Sequence, residues 1–372
     1  MDAISESVEA VKAPRVLSAM SGGVDSSVAT ALLNEQGFDV VGSMLRFWSE
    51  ERSSEAFSLC CSPESAYDAR RIADRLEIPF YLLDHRKEFN EIVVEPFAPT
   101  YLRGETPNPC VWCNRFIKFG SLVKKAQMLD CEFMATGHYV RRVDGDGGPE
   151  LWRGADSSKD QTYFLWALPR EILPYLLFPL GELDKSAVRQ LARERGLETA
   201  EKPSSSGLCF VTDSVRHYMD TETPPNPGPV IDIESGDVVG NHKGIQYYTV
   251  GQKRNLGLFQ SHISRFVVGV SQEENTVFVG TRNMCYWERL TVEKANYLLD
   301  IDSLPGRVMA QVRYRQDPLP ATIVRKWSDG FELQFDEPVF AITIGQSAVL
   351  YEEDRLLGGG VITYRERAPQ GG

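Results

Sequence analysis

The chain has 372 residues, with 40 Lys or Arg against 52 Asp or Glu for a formal net charge of −12, and 42% of it is hydrophobic. That length predicts two or three domains, and a charged fraction of 25% with 10% aromatics describes a folded globular protein rather than a disordered one. No run approaches the roughly 18–20 apolar residues of a membrane span, and the acidic start Met1-Asp-Ala-Ile-Ser-Glu lacks the apolar core of an export signal, so a cytoplasmic protein without membrane partners is expected.

Up to about residue 213 short apolar runs alternate with helical patterns, which predicts βαβ units around a parallel sheet. Val16–Met20 reads as a buried strand running into Ser21-Gly22-Gly23-Val24-Asp25-Ser26-Ser27, and a helix carrying Val28, Ala31 and Leu32 follows, stopping near Gly37. Phe38–Leu45 is the next strand. Ser62-Pro63 opens a helix with Ala66, Ala69, Ile72, Ala73 and Leu76 at helical spacing. Phe80–Asp84 reads as a strand, residues 114–129 as a helix beginning after Cys113, and Glu132–Tyr139 as a further strand.

Thr223-Pro-Pro-Asn-Pro-Gly-Pro229 is a cluster of chain breakers and reads as a linker. Beyond it β-rich runs punctuated by glycine lie at Pro229–Val239, Gln246–Val250, Phe266–Val270, Thr276–Val279, Arg307–Arg315, Ala321–Lys326, Phe331–Phe335 and Ser347–Tyr351. Such spacing predicts small barrels or sandwiches. The expected architecture is α/β: a Rossmann-like parallel-sheet domain over 1–213, a small β-rich domain over 214–284, and a β-barrel over 285–372.

The loop Ser21–Ser27 lies between a strand and a helix. Adjacent glycines let backbone N–H groups approach an anion, and the helix start adds a positive dipole end. The Gly-Lys-Ser/Thr ending of a Walker A loop and the Gly-x-Gly-x-x-Gly pattern are both missing. The loop resembles the pyrophosphate loop of the N-type ATP pyrophosphatases, which implies ATP cleaved to AMP and pyrophosphate, with Mg²⁺ on the phosphates, and leaves the acceptor open.

Seven cysteines, at 60, 61, 110, 113, 131, 209 and 285, form no regular disulfide framework and fit a reducing compartment. Cys110 and Cys113 sit in Thr106-Pro-Asn-Pro-Cys-Val-Trp-Cys113. A thiol near a helix start and flanked by Arg115 and Lys118 is expected to be the more acidic for it. Cys209 lies in Lys202-Pro-Ser-Ser-Ser-Gly-Leu-Cys-Phe210. Cys60-Cys61, Cys131 and Cys285 read as packing residues. Trp112 serves equally as a stacking platform or as core. Residues 103–142 and 241–265 each carry a local charge of +4 despite the acidic total, so RNA backbone contacts remain open. His242 and His262 fall in the second patch and read as solvated surface.

These segments, together with Ala135-Thr-Gly-His-Tyr139 and Lys159-Asp160-Gln161, are similar to the tRNA-specific 2-thiouridylase (MnmA/TrmU) family over nearly the whole chain. The resemblance implies an ATP site at Ala19, Met20, Ser21, Gly22, Gly23, Val24, Asp25, Ser26, Met44 and Gly137. It implies Cys113 as the catalytic nucleophile and Cys209 as the persulfide carrier. Asn108, Pro109 and Cys110 would meet the target base, and His138, Lys159, Asp160, Gln161, Arg313, Tyr314 and Gln346 the tRNA. Partners implied are tRNAs for Lys, Glu and Gln and a sulfur donor such as a cysteine desulfurase or relay protein. Many members have Asp where Cys110 stands here. Two routes therefore compete: a Cys209 persulfide resolved by Cys113, and a [4Fe–4S] cluster held by Cys110, Cys113 and Cys209. Soft-ligand chemistry favours the cluster, since three thiolates leave a fourth iron open. Two other readings stand beside these, a pyrophosphate-loop enzyme with a small-molecule acceptor and a non-catalytic nucleotide- or RNA-binding module.

Overall fold

The structure, a computed structural model, describes residues 13–47, 62–203, 207–211, 214–260 and 264–367. Cys60, Cys61 and His262 lie outside the described residues. The chain opens with β1 (Arg15–Ala19), α1 (Val24–Glu35), β2 (Asp39–Arg46), α2 (Pro63–Arg75) and β3 (Phe80–Asp84). Two short helices follow, α3 (Arg86–Phe89) and α4 (Phe97–Leu102), with a π-helical stretch over Asn90–Val94 between them. Then come α5 (Pro109–Trp112), a π-helical stretch over Cys113–Lys118, α6 (Phe119–Met128), β4 (Phe133–Thr136), the hairpin β5 (Val140–Gly145) and β6 (Gly148–Arg153), and β7 (Leu176–Leu177).

Strands β3-β2-β1-β4-β7 make one parallel sheet in that order. Successive side chains of a strand point to opposite faces. Val16 and Val40 thus pack with Leu33 of α1 on one side, while Leu17, Val41 and Met134 join Ile117, Phe119 and Leu122 on the other. The chain runs outward from β1 to β3 and then returns to the other side of β1 with β4. The crevice between the carboxyl ends of β1 and β4 is therefore a topological switch point, where doubly wound sheets bind their ligands.

Helix α7 (Lys185–Glu194) packs on α1, and α8 (Val215–Glu222) leads to a four-stranded sheet of order β10-β11-β8-β9, built from β8 (Gly228–Asp232), β9 (Val238–His242), β10 (Phe266–Ser271) and β11 (Thr276–Gly280). The remaining strands are β12 (Tyr286–Tyr297), β13 (Arg307–Gln311), β14 (Leu319–Trp327), β15 (Gly330–Phe340), β16 (Ser347–Glu352) and β17 (Arg355–Glu366). Their antiparallel order β12-β15-β14-β13-β16-β17 closes on itself through β12–β17 pairing, giving a six-stranded barrel filled by Leu290, Val292, Phe331, Leu333, Leu350 and Ile362. The α/β architecture, with its parallel sheet, small central unit and C-terminal barrel, is the one the sequence led us to expect.

Several local expectations give way. Pro229–Val239 is a hairpin rather than one strand, because Gly236 with φ +77° turns the chain. Within Gln246–Val250 the chain makes a 3-10 turn at Ile245–Tyr247. The run Arg307–Arg315 leaves the strand at Gln311. The helix expected to begin after Cys113 begins at Pro109, whose fixed φ and missing N–H suit the first helical position. The hairpin β5–β6 leaves the N-terminal unit and docks on the barrel, where Arg355 pairs with Glu150 at 2.8 Å and the Arg153 amide donates to the Asp354 carbonyl at 2.8 Å.

Candidate active site

Ser21–Ser27 lies where β1 ends and α1 begins, at the switch point. The loop is held by its own hydroxyls: the Ser26 and Ser27 Oγ atoms donate to the Gly23 carbonyl at 3.1 and 2.9 Å, and the Ser21 amide donates to Ser26 Oγ at 3.0 Å. No side chain caps α1 at Gly23, whose φ is −99°, so the helix start presents backbone N–H groups. Gly22 has φ +69°, and a Cβ there would lie 2.1 Å from the Ser65 carbonyl of α2. From the β4 side Gly137 comes as close, since its Cβ would sit 2.8 Å from the Ser26 amide. Met20 and Met44 are buried under the loop among α1 and α2.

Two lysines distant in the chain reach this loop. Lys202 Nζ donates to the Gly22 carbonyl at 3.0 Å and to Asp68 at 2.6 Å. Lys185, at the start of α7, pairs with Asp25, which also accepts from the Tyr139 hydroxyl at 2.7 Å. Burial holds the Lys185 ammonium below its ordinary pKa, and burial together with Asp25 pushes the Tyr139 phenol up. The only sequence signal was Asp184, a helix cap accepting from the Ala187 amide, since Lys185 lies 160 residues from Asp25 and Lys202 180 residues from Gly22.

The thiol segment is built on the opposite face of the sheet. Asn108 precedes α5, so Cys110 stands in its first turn and Cys113 enters the π-helical stretch. Cys113 is buried and Cys110 half-buried. The helix dipole therefore acts on Cys110 rather than on Cys113. The Arg115 guanidinium, expected beside the thiol, donates to the Ala167 carbonyl at 2.9 Å. Trp112 is half-buried, set edge-on to Trp166 and stacked beside Phe116, with centroids at 5.9 and 6.1 Å.

The barrel braces this segment. Ile344 accepts from the Thr106 amide at 2.8 Å, and Gln346 Nε2 donates to the carbonyls of Thr106 and Pro107 at 3.0 and 3.3 Å. Asn108 Nδ2 reaches Ser347 Oγ at 3.4 Å. Tyr314 packs on Phe164 at 4.4 Å. Cys209 is half-buried against the same core as Cys113, and the next residue, Phe210, makes edge contacts to Phe89, Phe97 and Tyr218. Cys113 and Cys209 thus touch the same hydrophobic core, and Phe119 of that core lies against the His138 ring (5.6 Å), next to Gly137.

Among the described residues no three His, Cys, Asp or Glu side chains gather to hold a metal, and no disulfide forms.

Other anticipated contacts are committed internally. Asp160 is buried, accepting from Gly154, Thr162 and Arg153, and Gln161 accepts from the Tyr139 amide at 3.0 Å. Lys159 is half-buried near Asp156 and Lys185. Arg313 spends its guanidinium on the Val250 and Ala341 carbonyls and Thr343 Oγ1 at 3.3, 2.7 and 2.9 Å. Arg103, Arg141 and Arg142 of the first basic patch pair with Glu105, Asp354 and Asp144, and Arg265 of the second pairs with Asp232. Cys131 and Cys285 are buried, as is His242.

His138 sets a pH expectation. Burial and Lys118 lower its pKa to about 3, and its Nδ1 lies 2.8 Å from Thr136 Oγ1. The unfolded chain takes up that proton near pH 6.5 and the folded one only near 3, so folding stability falls as pH drops through this window. The slope is at most about 1.4 kcal/mol per pH unit, and less to the extent that the exposed edge of the ring stays hydrated. His138→Gln is expected to flatten it, as read by urea midpoints between pH 4 and 7; an identical slope removes this assignment.

The tRNA methyl transferase HUP domain model matches residues 14–213, the tRNA methyl transferase PRC-barrel domain model 216–281, and the aminomethyltransferase beta-barrel domain model 287–362. A tRNA-specific 2-thiouridylase MnmA of Deinococcus radiodurans is 53% identical over 96% of this chain and 94% of its own length. The chain belongs to the MnmA family. MnmA proteins of Thermus thermophilus and Carboxydothermus hydrogenoformans are 50% and 45% identical, each over 94% of this chain and over 94% and 98% of their own lengths. Among solved structures, a 4-thiouridine synthetase–RNA complex with bound ATP aligns at 16% identity and a TM-score of 0.39 over 57% of this chain and 50% of that one, a likeness too weak to argue from. Membership in the MnmA family sets aside the small-molecule acceptor and the non-catalytic module.

Proposed function

We propose that this protein is an ATP-dependent tRNA sulfurtransferase that converts the wobble uridine to 2-thiouridine. The observation that carries the reading is the 53% identity over 96% of the chain to a tRNA-specific 2-thiouridylase, supported by a phosphate loop at the sheet's switch point. ATP enters over Ala19–Ser26, with phosphate oxygens on the N–H groups at the start of α1. Asp25, the loop's carboxylate, would hold Mg²⁺ beside bound ATP, and the ion would neutralise charge on the departing pyrophosphate.

A carbonyl oxygen is a poor leaving group, so the chemistry is activation followed by displacement. The uracil C2 oxygen attacks the α-phosphorus, pyrophosphate leaves, and N3 gives up its proton. The sulfur comes from a donor such as a cysteine desulfurase or its relay protein and rides on Cys209 as a persulfide. Its terminal sulfur attacks C2, and AMP departs with the C–O electron pair. The Cys113 thiolate then attacks the Cys209 sulfur, and the S–S pair returns to the sulfur on C2 to leave the thiocarbonyl. A Cys113–Cys209 disulfide remains for a thiol reductant to reset. No step of this route passes through an iron–sulfur cluster. Asn108, Pro109, Cys110 and Tyr314 border the base, with Gln346 positioning their loop. The substrates are tRNAs for Lys, Glu and Gln in the cytoplasm, and the units 1–213, 214–284 and 285–372 divide the work into activation, spacing and tRNA grip. Among the described residues no helix is long and apolar enough to cross a membrane.

Purified protein, iron-free and given ATP, tRNA and a persulfide donor, is expected to release AMP and pyrophosphate in step with one O-to-S exchange at the wobble nucleoside, read by mass spectrometry. Thiolation that depends on added iron would overturn the persulfide route, and no thiolation with or without iron would overturn the function.

A further inference from the structure

Where the barrel meets the central unit, three guanidiniums converge without a counter-charge. Arg365 and Arg367 both lie over the Trp287 ring, with Cζ atoms 4.1 and 4.6 Å from its centroid. Arg365 donates to the Ile342 carbonyl and feels the charges of both Arg367 and Arg313. Among the described residues no carboxylate pairs with any of the three; their partners are carbonyls, Thr343 Oγ1 and the indole ring. Glu366, between two of them in sequence, points to the other side of its strand. Half-buried like charges repel and lose part of their hydration, so such a cluster is costly unless an anion completes it. Two buried donors there have no acceptor, Arg367 Nε and Trp287 Nε1.

The place of the cluster names its anion. Ile342 holds Arg365 and Ile344 holds the Thr106 amide of the base-pocket loop. Two residues of extended chain span at most about 7 Å, so the arginines lie a few nucleotides of backbone from the pocket. Guanidinium forks match phosphate oxygens. The geometry points to Arg365, Arg367 and Trp287 as a phosphodiester site that grips the tRNA backbone beside the modified base. The inference rests on tRNA being the substrate.

The test measures tRNA affinity against salt by filter binding or anisotropy, with thermal melts confirming folding. Arg367→Gln is expected to weaken binding about three- to tenfold and to lower the log–log salt slope by about one, with ATP affinity unchanged. Trp287→Phe, which keeps a ring beneath the guanidiniums, is expected to retain the slope. Should Arg365→Gln fail to fold, Arg367→Gln alone decides. An unchanged slope and affinity in folded Arg367→Gln overturns the site. Inorganic phosphate that raises the melting temperature of the wild type but not of Arg367→Gln, with the tRNA slope unmoved, marks a free-anion site and overturns the RNA assignment. Failure of the wild type to bind tRNA would instead sink the proposed function.

Discussion

Cys113→Ser is expected to stop thiolation, by on the order of 10⁴-fold, the scale seen when a group forming covalent intermediates is removed, while leaving pyrophosphate release intact. Serine keeps the volume of this buried site and removes the one atom able to attack the Cys209 sulfur. Activation of the uracil oxygen and the first attack by the persulfide do not require Cys113. The variant should therefore stall with tRNA joined to Cys209 through two sulfurs, as a covalent adduct visible on a denaturing gel and released by a thiol reductant. Cys209→Ser carries no persulfide and should trap nothing, stopping at the adenylated base. Cys110→Ser is expected to retain turnover, since its thiol borders the base and makes no bond in this route. An adduct in the Cys209→Ser protein, or none in Cys113→Ser under single turnover, reverses the roles assigned to the two thiols. A Cys110→Ser loss equal to that of Cys113→Ser would restore the three-thiol cluster.

What the sequence disclosed follows the range of the forces involved. The phosphate loop was legible because strand, glycine turn and helix start lie within about a dozen consecutive residues, and each carries its own local preference. The three thiols were legible as chemistry, but a sequence counts ligands without their separations, so it leaves the persulfide and the cluster routes both open. Pro109 marks the start of α5, whereas the helix was expected to begin after Cys113. Lys185 and Lys202 were silent because only the fold returns them to the loop. The barrel-closing strands β12 and β17 were missed for a related reason. Tyr286–Tyr297 carries exposed Arg289, Glu293 and Lys294, and Arg355–Glu366 contains Gly358, Gly359 and Gly360, residues that weaken an isolated strand. The fold demands those glycines: a Cβ at 359 would sit 2.9 Å from the Trp166 ring and one at 360 would sit 2.2 Å from Val292. Arg313 shows the same limit, since the carbonyls of Val250 and Ala341 that hold its guanidinium reach it only through the fold.

Gly22→Ala is expected to abolish ATP binding at millimolar nucleotide, whereas Gly23→Ala, one residue along, should shift the dissociation constant by less than about threefold. The two glycines look alike in sequence and differ in what a methyl group would meet. At Gly22 the backbone is left-handed, φ +69°, which costs a residue with a Cβ about 1–2 kcal/mol. The added carbon would also lie 2.1 Å from the Ser65 carbonyl and 2.9 Å from the Ser65 Cα, and α2 cannot retreat without loosening its Ser62 cap and the Lys202–Gly22 contact. The loop must then swing away and take its N–H groups off the phosphates. At Gly23 φ is −99° and the nearest atom to a Cβ is Ser21 Oγ at 3.5 Å, ordinary contact distance. Isothermal titration of the two variants with a non-hydrolysable ATP analogue, alongside urea unfolding, separates lost binding from lost folding. Gly22→Ala should also lose about 2 kcal/mol or more of stability as strain and overlap add. Equal nucleotide affinities in the two variants would mean that the phosphates do not lie against the turn at Gly22, and the ATP site would have to move away from the switch point.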